Sequence, residues 1–248
     1  MKRVKCIIAY DGTDFQGYQS QPGKRTVQGE IEAVLKKIHK GTNVPIYASG
    51  RTDAKVHAQG QVIHFDTNLP LDEQRWVYAL NSLLPEDISV RHAQWVDSDF
   101  HARFSSKGKE YRYRVDRRKI KNPFLRNYAY HFTYPINMEE MRKAMAYITG
   151  KHDFTSFCSA KTEVIDKVRQ VTLFEVEEQE EELVFRIAGN GFLYNMVRII
   201  IGTVLEVGAG KRKADEIPKI IQAKDRRLAG KTVPGHGLYL WEVFPANL

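Results

Sequence analysis

A short stretch of the chain, residues 48–58 (ASGRTDAKVHA), combines a carboxylate with cationic and imidazole side chains. Asp53 is predicted to lie in a loop between two strands, with Arg51 two positions before it and His57 four positions after it. A loop carboxylate can reach a substrate, and a neighbouring cation keeps it ionised at neutral pH as a nucleophile or a base. Charged loops are also common where a protein surface has no chemical role, so the stretch alone is only a candidate site.

A second candidate is Arg198, the only charged residue between Arg186 and Glu206. The residues around it are almost all apolar, which predicts a helix over 192–207 that is buried nearly all round. A buried guanidinium group needs a partner, because an isolated buried charge costs several kcal/mol. We predict that Arg198 pairs with Asp53 across a cleft. The alternatives are a structural acid or a side chain that extends to solvent.

The positive charge of the chain is concentrated in one stretch. The protein carries a net charge of +8, and residues 103–126 alone contain ten basic residues against two acidic ones. The basic residues are Arg103, Lys107, Lys109, Arg112, Arg114, Arg117, Arg118, Lys119, Lys121 and Arg126. Phe104, Tyr111, Tyr113 and Phe124 are interleaved with them, and cations beside stacking rings are typical of proteins that bind single-stranded or looped RNA. The alternative is a basic face that is merely solvated.

Tyr111 belongs to a predicted strand in which Tyr111 and Tyr113 share one face, and Arg112 and Arg114 the other. A tyrosine on an inward strand face is most often a core residue. Its functional interpretation is a ring that stacks on an extracted base, with a hydroxyl able to take part in proton transfer. The acidic run 177–182 is interpreted as a solvated hairpin tip that faces away from any polyanion.

The order of predicted elements is β-α-β-β-α-β, and it occurs twice. The first set is strand 3–10, helix 26–40, strands 44–50 and 60–67, helix 71–84 and strand 88–96. The second set is strand 109–117, helix 138–149, strands 168–176 and 183–189, helix 192–207 and strand 238–244. This order predicts an α+β protein of two tandem, ferredoxin-like halves that form a long, mainly antiparallel sheet with a central RNA-binding cleft.

The two halves are predicted to divide the candidate site between them. Residues 1–104 carry the Asp53 loop, and residues 105–248 carry the basic strand, Tyr111 and Arg198. The long segments 11–25 and 118–135 are predicted to be loops, and loops of that length are often functional.

Several classes of protein find no support in the sequence. There is no run of about 18 apolar residues to span a membrane. No phosphate-binding glycine motif, Ser-His-Asp pattern or zinc-ligand spacing occurs, so neither a nucleotide cofactor nor a metal is predicted. Cys6 and Cys158 are interpreted as reduced core thiols of a cytoplasmic protein, and the N-terminal residues as a strand rather than a signal peptide.

At these residues the chain resembles the TruA family of tRNA pseudouridine synthases over essentially its full length. The resemblance is carried, in order, by segments 9–19 (AYDGTDFQGYQ), 50–58 (GRTDAKVHA), 103–104, 111–113, 152–157 (HDFTSF), 190–198 (NGFLYNMVR) and 237–240 (GLYL). It implies conversion of uridine to pseudouridine at positions 38 to 40 of the tRNA anticodon stem-loop, without a cofactor and by a homodimer. It also implies that Asp53 is the catalytic carboxylate, Tyr111 lies against the uracil, Arg198 is the basic partner of the carboxylate, and Arg51 holds the flipped nucleotide open.

The chain departs from the family pattern at Lys55, where the family usually has glycine. A positive φ at this position would strain a lysine by roughly 1–2 kcal/mol, although Lys55 could equally add a phosphate contact. The departure leaves a second hypothesis, a tRNA-binding or tRNA-folding paralogue of the family with impaired catalysis. Metal-dependent RNA hydrolysis through Asp53 and the histidines is a third.

Overall fold

The structure is a computed structural model, which describes residues 1–162 and 164–246. The chain divides into two compact units. The first contains Met1–Lys107 together with the chain from Tyr239 onward, and the second contains Gly108–Leu238. The predicted division after residue 104 lies three residues before this boundary. It assigned the last strand to the second half, whereas that strand groups with the first unit.

The first unit has the predicted order β-α-β-β-α-β. Its elements are β1 (Lys2–Tyr10), α1 (Val27–Ile38), β2 (Tyr47–Ala48), β3 (His57–Thr67), α2 (Glu73–Asn81) and β4 (Ile88–Val96). Strand β1 lies between β3 and β4 and is antiparallel to both, and β2 is antiparallel to β3. The last strand of the chain, Leu238–Pro245, is parallel to β3. The predicted long, mainly antiparallel sheet is confirmed, with this strand among its parallel exceptions.

Alternating burial and helix capping explain these elements. Val4, Cys6 and Ile8 are buried in β1 while the residues between them are partly exposed, as the period of a strand requires. Thr26 begins α1 by accepting a hydrogen bond from the Gly29 amide. The strand predicted over 44–50 is reduced to two residues, because Pro45 has no amide hydrogen to donate to a sheet.

The strands of the second unit pair mainly antiparallel and are accompanied by helices. Its elements are β5 (Ser106–Asp116), β6 (Tyr130–His131), α3 (Met138–Ile148), β7 (Gly150–Asp153), β8 (Val168–Glu178), β9 (Glu182–Gly189), α4 (Met196–Gly208) and α5 (Ile217–Ala223). The strand of Leu238–Pro245 is β10. In this unit β9 lies between β5 and β8, and β7 is antiparallel to β8. The short elements β6, β7 and α5 were not predicted from the sequence.

Helix α4 begins at Met196 rather than at residue 192. Asn195 has a left-handed backbone with φ 61, so the residues before it form a turn instead of helix. Within α4 every residue except Arg198 and Glu206 is buried. The prediction of a helix buried nearly all round is therefore confirmed, while its predicted start is corrected.

The acidic run 177–182 forms the turn between β8 and β9, and residues 177–181 are exposed. Glu182 forms an ion pair with Arg114, and Glu181 forms one with Arg118. Because these arginines belong to the basic stretch, the acidic hairpin neutralises part of it. The predicted solvated hairpin tip is therefore confirmed, and its orientation away from any polyanion stays a prediction.

Two further predictions concern the core and membranes. Cys6 and Cys158 are both free and buried, which confirms that they are core thiols rather than a disulfide. Among residues 1–162 and 164–246, no helix is long and apolar enough to cross a membrane.

Candidate active site

The Asp53 loop, residues 49–56, joins β2 to β3 in the first unit. Two side chains from neighbouring strands hold it. The Tyr10 hydroxyl lies 2.8 Å from the Thr52 hydroxyl in a buried contact, and the Gln61 amide donates to the Gly50 carbonyl at 2.7 Å. Thr52 is buried, Asp53 is half-buried and Arg51 is exposed. The anchors therefore fix the main chain on both sides of Arg51 and leave the arginine and the carboxylate accessible.

Segment 11–18 supports the same loop from the other side. The Tyr18 amide donates to the Thr52 carbonyl at 3.0 Å, and the Lys55 amide donates to the Phe15 carbonyl at 3.3 Å. A Cβ on Gly12 would lie 2.1 Å from the Val56 carbonyl oxygen, so no other residue fits there without moving the main chain. The segment that carries the first part of the family resemblance thus positions the candidate catalytic loop.

Lys55 has a positive φ, a backbone conformation that glycine adopts more easily than any other residue. Its φ is 65, and the side chain is exposed. A left-handed conformation costs an L-residue about 1–2 kcal/mol. Hydrogen bonds from the amides of Lys55 and Val56 accompany this conformation. The loop therefore keeps the backbone expected for a glycine while it carries a lysine.

His57 is a buried anchor for the beginning of β3. Its Nδ1 accepts a hydrogen bond from the Gly12 amide at 2.9 Å and lies 3.2 Å from an Asp11 carboxylate oxygen. The ring stacks on Tyr239, with 4.7 Å between the centroids. These contacts fix the ring at the start of β3, beside the end of the Asp53 loop. In the described part of the chain, no three or more His, Cys, Asp or Glu side chains are grouped as metal ligands would be.

The second unit contributes Tyr111, on the inward face of β5 as predicted. The ring is 8% exposed and meets Phe192 edge to face, with 5.2 Å between the centroids. Tyr113, on the same face, is completely buried and donates a hydrogen bond to the Pro234 carbonyl at 2.9 Å. Burial raises the pKa of Tyr113 well above its ordinary value. Tyr113 is therefore a core residue, whereas Tyr111 retains a small accessible area.

The outward face of β5 carries two of the predicted substrate-binding cations, Arg112 and Arg114, whereas Lys109 alternates on the face of Tyr111. Arg112 lies 2.8 Å from a carboxylate oxygen of Glu110, and Arg186 binds the same carboxylate at 3.0 Å. Burial opposes ionisation of Glu110, but the hydrogen bonds from Arg186 and Arg112 outweigh it and hold its pKa below the ordinary value. Arg114 pairs with Glu182, and Lys109 is half-buried. Substrate binding by Lys109, Arg112 and Arg114 stays a prediction. Arg112 and Arg114 already form ion pairs with glutamates.

Arg198 is held by two neutral oxygen atoms near the start of α4. Its Nε donates to the Val233 carbonyl and its Nη1 donates to the Asn195 side-chain oxygen, both at 2.8 Å. The Val233 amide donates in turn to the Arg198 carbonyl. The left-handed Asn195 therefore both begins the helix and orients the guanidinium group. Pairing of Arg198 with Asp53 stays a prediction.

Segment 229–237 connects Arg198 to the strand of Tyr113, and sequence reasoning missed it. It passes so close to α4 that a Cβ on Gly202 would lie 1.9 Å from the Lys231 carbonyl oxygen. The Thr203 hydroxyl accepts a hydrogen bond from the Gly230 amide at 2.9 Å. A glycine within an otherwise bulky apolar helix was the signal that another segment approaches the helix there.

Comparison with known proteins identifies the family. Residues 6–105 and 144–244 match the profile of a family described as tRNA pseudouridine synthase. The chain belongs to this family. The Asp53 loop and Arg198 lie within the matched segments, whereas Tyr111 lies between them.

Members of the tRNA pseudouridine synthase family from several bacteria are similar over nearly the whole chain. A protein named tRNA pseudouridine synthase A from Anoxybacillus flavithermus is 63% identical over 243 residues, which cover 98% of each chain. One of the same name from Geobacillus sp. (strain WCH70) is 58% identical over 246 residues, covering 99% of each. The tRNA pseudouridine synthase A 1 of Bacillus cereus (strain ATCC 14579) is 57% identical over 243 residues and 98% of each. The similarity therefore includes the Tyr111 segment.

Among solved structures, the chain aligns with the archaeal box H/ACA sRNP Nop10–Cbf5 complex. The TM-score is 0.35 at 15% identity, over 82% of this chain and 44% of that chain. At that TM-score the alignment carries no argument about the site.

Proposed function

We propose that the protein converts uridine to pseudouridine at positions 38 to 40 of the tRNA anticodon stem-loop. The observation that carries the proposal is full-length similarity to proteins named tRNA pseudouridine synthase A, combined with a rigidly held loop that presents Asp53 beside an exposed arginine. Nothing in the fold or the comparisons favours the alternative of a catalytically impaired paralogue, since the Asp53 loop keeps its backbone despite Lys55.

The reaction requires few functional groups. The bond between C1′ and N1 breaks, the uracil turns, and C5 bonds to C1′; C5 loses its hydrogen and N1 gains one. No atoms or electrons enter or leave overall, so neither a redox cofactor nor a group donor is needed. In our proposal Asp53 promotes cleavage of the glycosidic bond, and Arg198 is its basic partner.

The proposal gives the remaining residues binding roles. An enzyme that acts on a stacked base must extract it, at a cost of a few kcal/mol. Tyr111 would stack on the uracil, and Arg51 would hold the flipped nucleotide open. Lys55 and the cations of β5 would contact phosphates, which position an RNA without reading its sequence.

We also propose that the enzyme acts as a homodimer in the cytoplasm. Two free, buried cysteines fit a reducing compartment. Sedimentation of the purified protein at several concentrations tests the dimer, and a monomer at all concentrations would contradict it.

The function is tested by incubating the protein with unmodified tRNA and mapping pseudouridine by position. Asp53→Ala should abolish the product, because the carboxylate that initiates the reaction is gone. Asp14→Ala is the matched control, since it removes an exposed carboxylate from the adjacent loop segment and should leave the rate unchanged. If the wild-type protein binds tRNA but forms no pseudouridine, the impaired paralogue is correct and the proposal is not.

A further inference from the structure

Away from the Asp53 loop, the first unit contains a row of four neighbouring rings, Tyr47, His64, His101 and Phe104, which we call the aromatic row. Tyr47 and His64 are cross-strand partners on β2 and β3, and their rings stack at 5.1 Å and 21°. His64 meets His101 at 4.8 Å, and His101 meets Phe104 at 4.5 Å. The row therefore joins the sheet to the segment that precedes β5.

The two ends of the aromatic row are open to solvent although its middle is not. Tyr47 is 49% exposed and Phe104 is 76% exposed, whereas His64 is 1% exposed. A large aromatic side chain that is exposed contributes little of the hydrophobic stabilisation that a buried ring contributes to a core. Two such rings, supported from behind by other rings, present flat faces to which a further ring could add.

The imidazoles are fixed and uncharged. The Ala102 amide donates to Nδ1 of His64, and the Arg103 amide donates to Nδ1 of His101, both at 3.1 Å. Burial and nearby arginines lower the pKa of both histidines, that of His64 to about 4. At neutral pH the row is thus a neutral, rigid stack rather than a cluster of cations.

Positive charge accompanies the exposed end of the row. The guanidinium carbon of Arg103 lies 5.9 Å from the centroid of the Phe104 ring, and Arg103 and Lys107 are both exposed. Stacking rings beside cations are the combination that binds single-stranded nucleic acid. An apolar protein partner would not need the two cations at this edge.

The aromatic row is too far from Asp53 to hold the target uridine, because the Asp53 carbonyl accepts a hydrogen bond from the Val56 amide at 3.2 Å and so lies near His57. His57, where the Asp53 loop ends, and His64 are seven residues apart on β3, or roughly 23 Å at about 3.3 Å per residue. Any base on the row must therefore be a different nucleotide of the same RNA.

We propose that the aromatic row is a second RNA-binding subsite, which stacks an unpaired base of the substrate tRNA while Asp53 acts on the target uridine. This rests on the proposed function. The subsite anchors the tRNA at a distance from the reaction, so its loss weakens binding and leaves the chemical step unchanged once the RNA is bound.

The test compares Phe104→Leu, Phe104→Trp and the double variant Tyr47→Leu/Phe104→Leu with wild type, using full-length unmodified tRNA. Leucine keeps an apolar side chain but removes the stacking face. We expect each lost ring to weaken tRNA binding about 10-fold, as for other base–aromatic stacks, with an unchanged single-turnover rate at saturating protein. Phe104→Trp should bind at least as well as wild type. Tyr78→Leu, a 67% exposed tyrosine on α2, is the matched control and should bind normally.

Three outcomes overturn the subsite. They are normal binding by the double variant, equal loss in the leucine and tryptophan variants, and loss of the single-turnover rate with normal affinity. Circular dichroism and thermal unfolding of each variant exclude misfolding as the cause of weak binding. Failure of the proposed function is distinguishable, because it would appear as wild-type protein that forms no pseudouridine.

Discussion

The Asp53 loop of the first unit and the start of α4 in the second unit fix a charged side chain by different means. Residues 49–56 form neither helix nor strand, and main chain from segment 11–18 approaches them at a glycine where no side chain fits. Arg198 lies on a regular helix, and two neutral oxygen atoms orient its guanidinium group. The first arrangement depends on the absence of a side chain, the second on the presence of hydrogen-bond acceptors.

This difference determines which substitutions each region tolerates. In a packed loop an added methyl group must displace main chain, and displacement of a catalytic group by about 1 Å can cost about 100-fold in rate. On a helix the backbone is set by its own hydrogen bonds, so loss of one acceptor changes the direction of a side chain and little else. The largest effects are therefore expected around Asp53.

Gly12→Ala gives the largest expected effect, because its Cβ would lie 2.1 Å from the Val56 carbonyl oxygen. The Asp53 loop must shift to accept it. We expect kcat to fall about 100-fold and the free energy of unfolding to fall by about 1–3 kcal/mol. Single-turnover assays and urea unfolding measure the two effects.

Gly191→Ala is the control for this substitution. Its Cβ would lie 3.6 Å from the nearest atoms, which are in the flexible side chain of Arg169, and this is an ordinary contact. Its rate and stability should stay near wild type. Equal effects of the two alanines would show that close approach at Gly12 does not shape the site.

Acid pH should destabilise the two units over different pH ranges. Burial, with Arg3 and His101 nearby, lowers the pKa of His64 from 6.5 to about 4. The unfolded chain then binds the proton first, so stability on the order of 3 kcal/mol is present above pH 6.5 and lost between pH 6.5 and 4. The pKa of Glu110 is also lowered, but its contribution to stability acts at lower pH. That contribution is present above pH 4.5 and is lost as the pH falls further.

Amide hydrogen exchange, corrected for the intrinsic effect of pH, measures this difference. Segment 101–104 should lose protection between pH 6.5 and 4, while β5 keeps it until below pH 4.5. The variant His64→Asn cannot titrate, and it should remove the first transition and leave the second. A single transition shared by both units would contradict the expectation.

Regular elements could be predicted from the sequence better than the contacts between loops. The alternation of β1 predicted its buried face, and the almost uninterrupted apolar sequence of α4 predicted a helix buried nearly all round, because both follow from local backbone geometry. Neither the support of the Asp53 loop by Gly12 nor the stacking of Tyr47 on His64 follows from such a period. Both join residues far apart in the sequence, and only the folded chain brings them together.

A smaller effect on the rate is expected at Asn195, where a substitution tests whether hydrogen-bond acceptors orient Arg198. Asn195→Gly keeps the left-handed backbone but removes the oxygen that accepts from Arg198. We expect kcat to fall about 10-fold, as for loss of one hydrogen bond to a charged group, with KM little changed. Asn195→Asp keeps an acceptor oxygen and should retain most of the activity. A glycine variant with the wild-type rate would show that Asn195 does not position the guanidinium group.

The smallest effect is expected at Lys55. Lys55 and Asn195 both have a left-handed backbone, but the two residue types differ in how well they tolerate it. Asparagine tolerates this conformation, whereas lysine is strained in it. Lys55→Gly should therefore raise the free energy of unfolding by about 0.5–1 kcal/mol, the strain relieved less the greater flexibility of glycine in the unfolded chain. Lys55→Ala keeps the strain and should not stabilise the protein. If both variants raise KM for tRNA equally, the lysine contributes a phosphate contact, and the cost of its strained backbone is offset by binding.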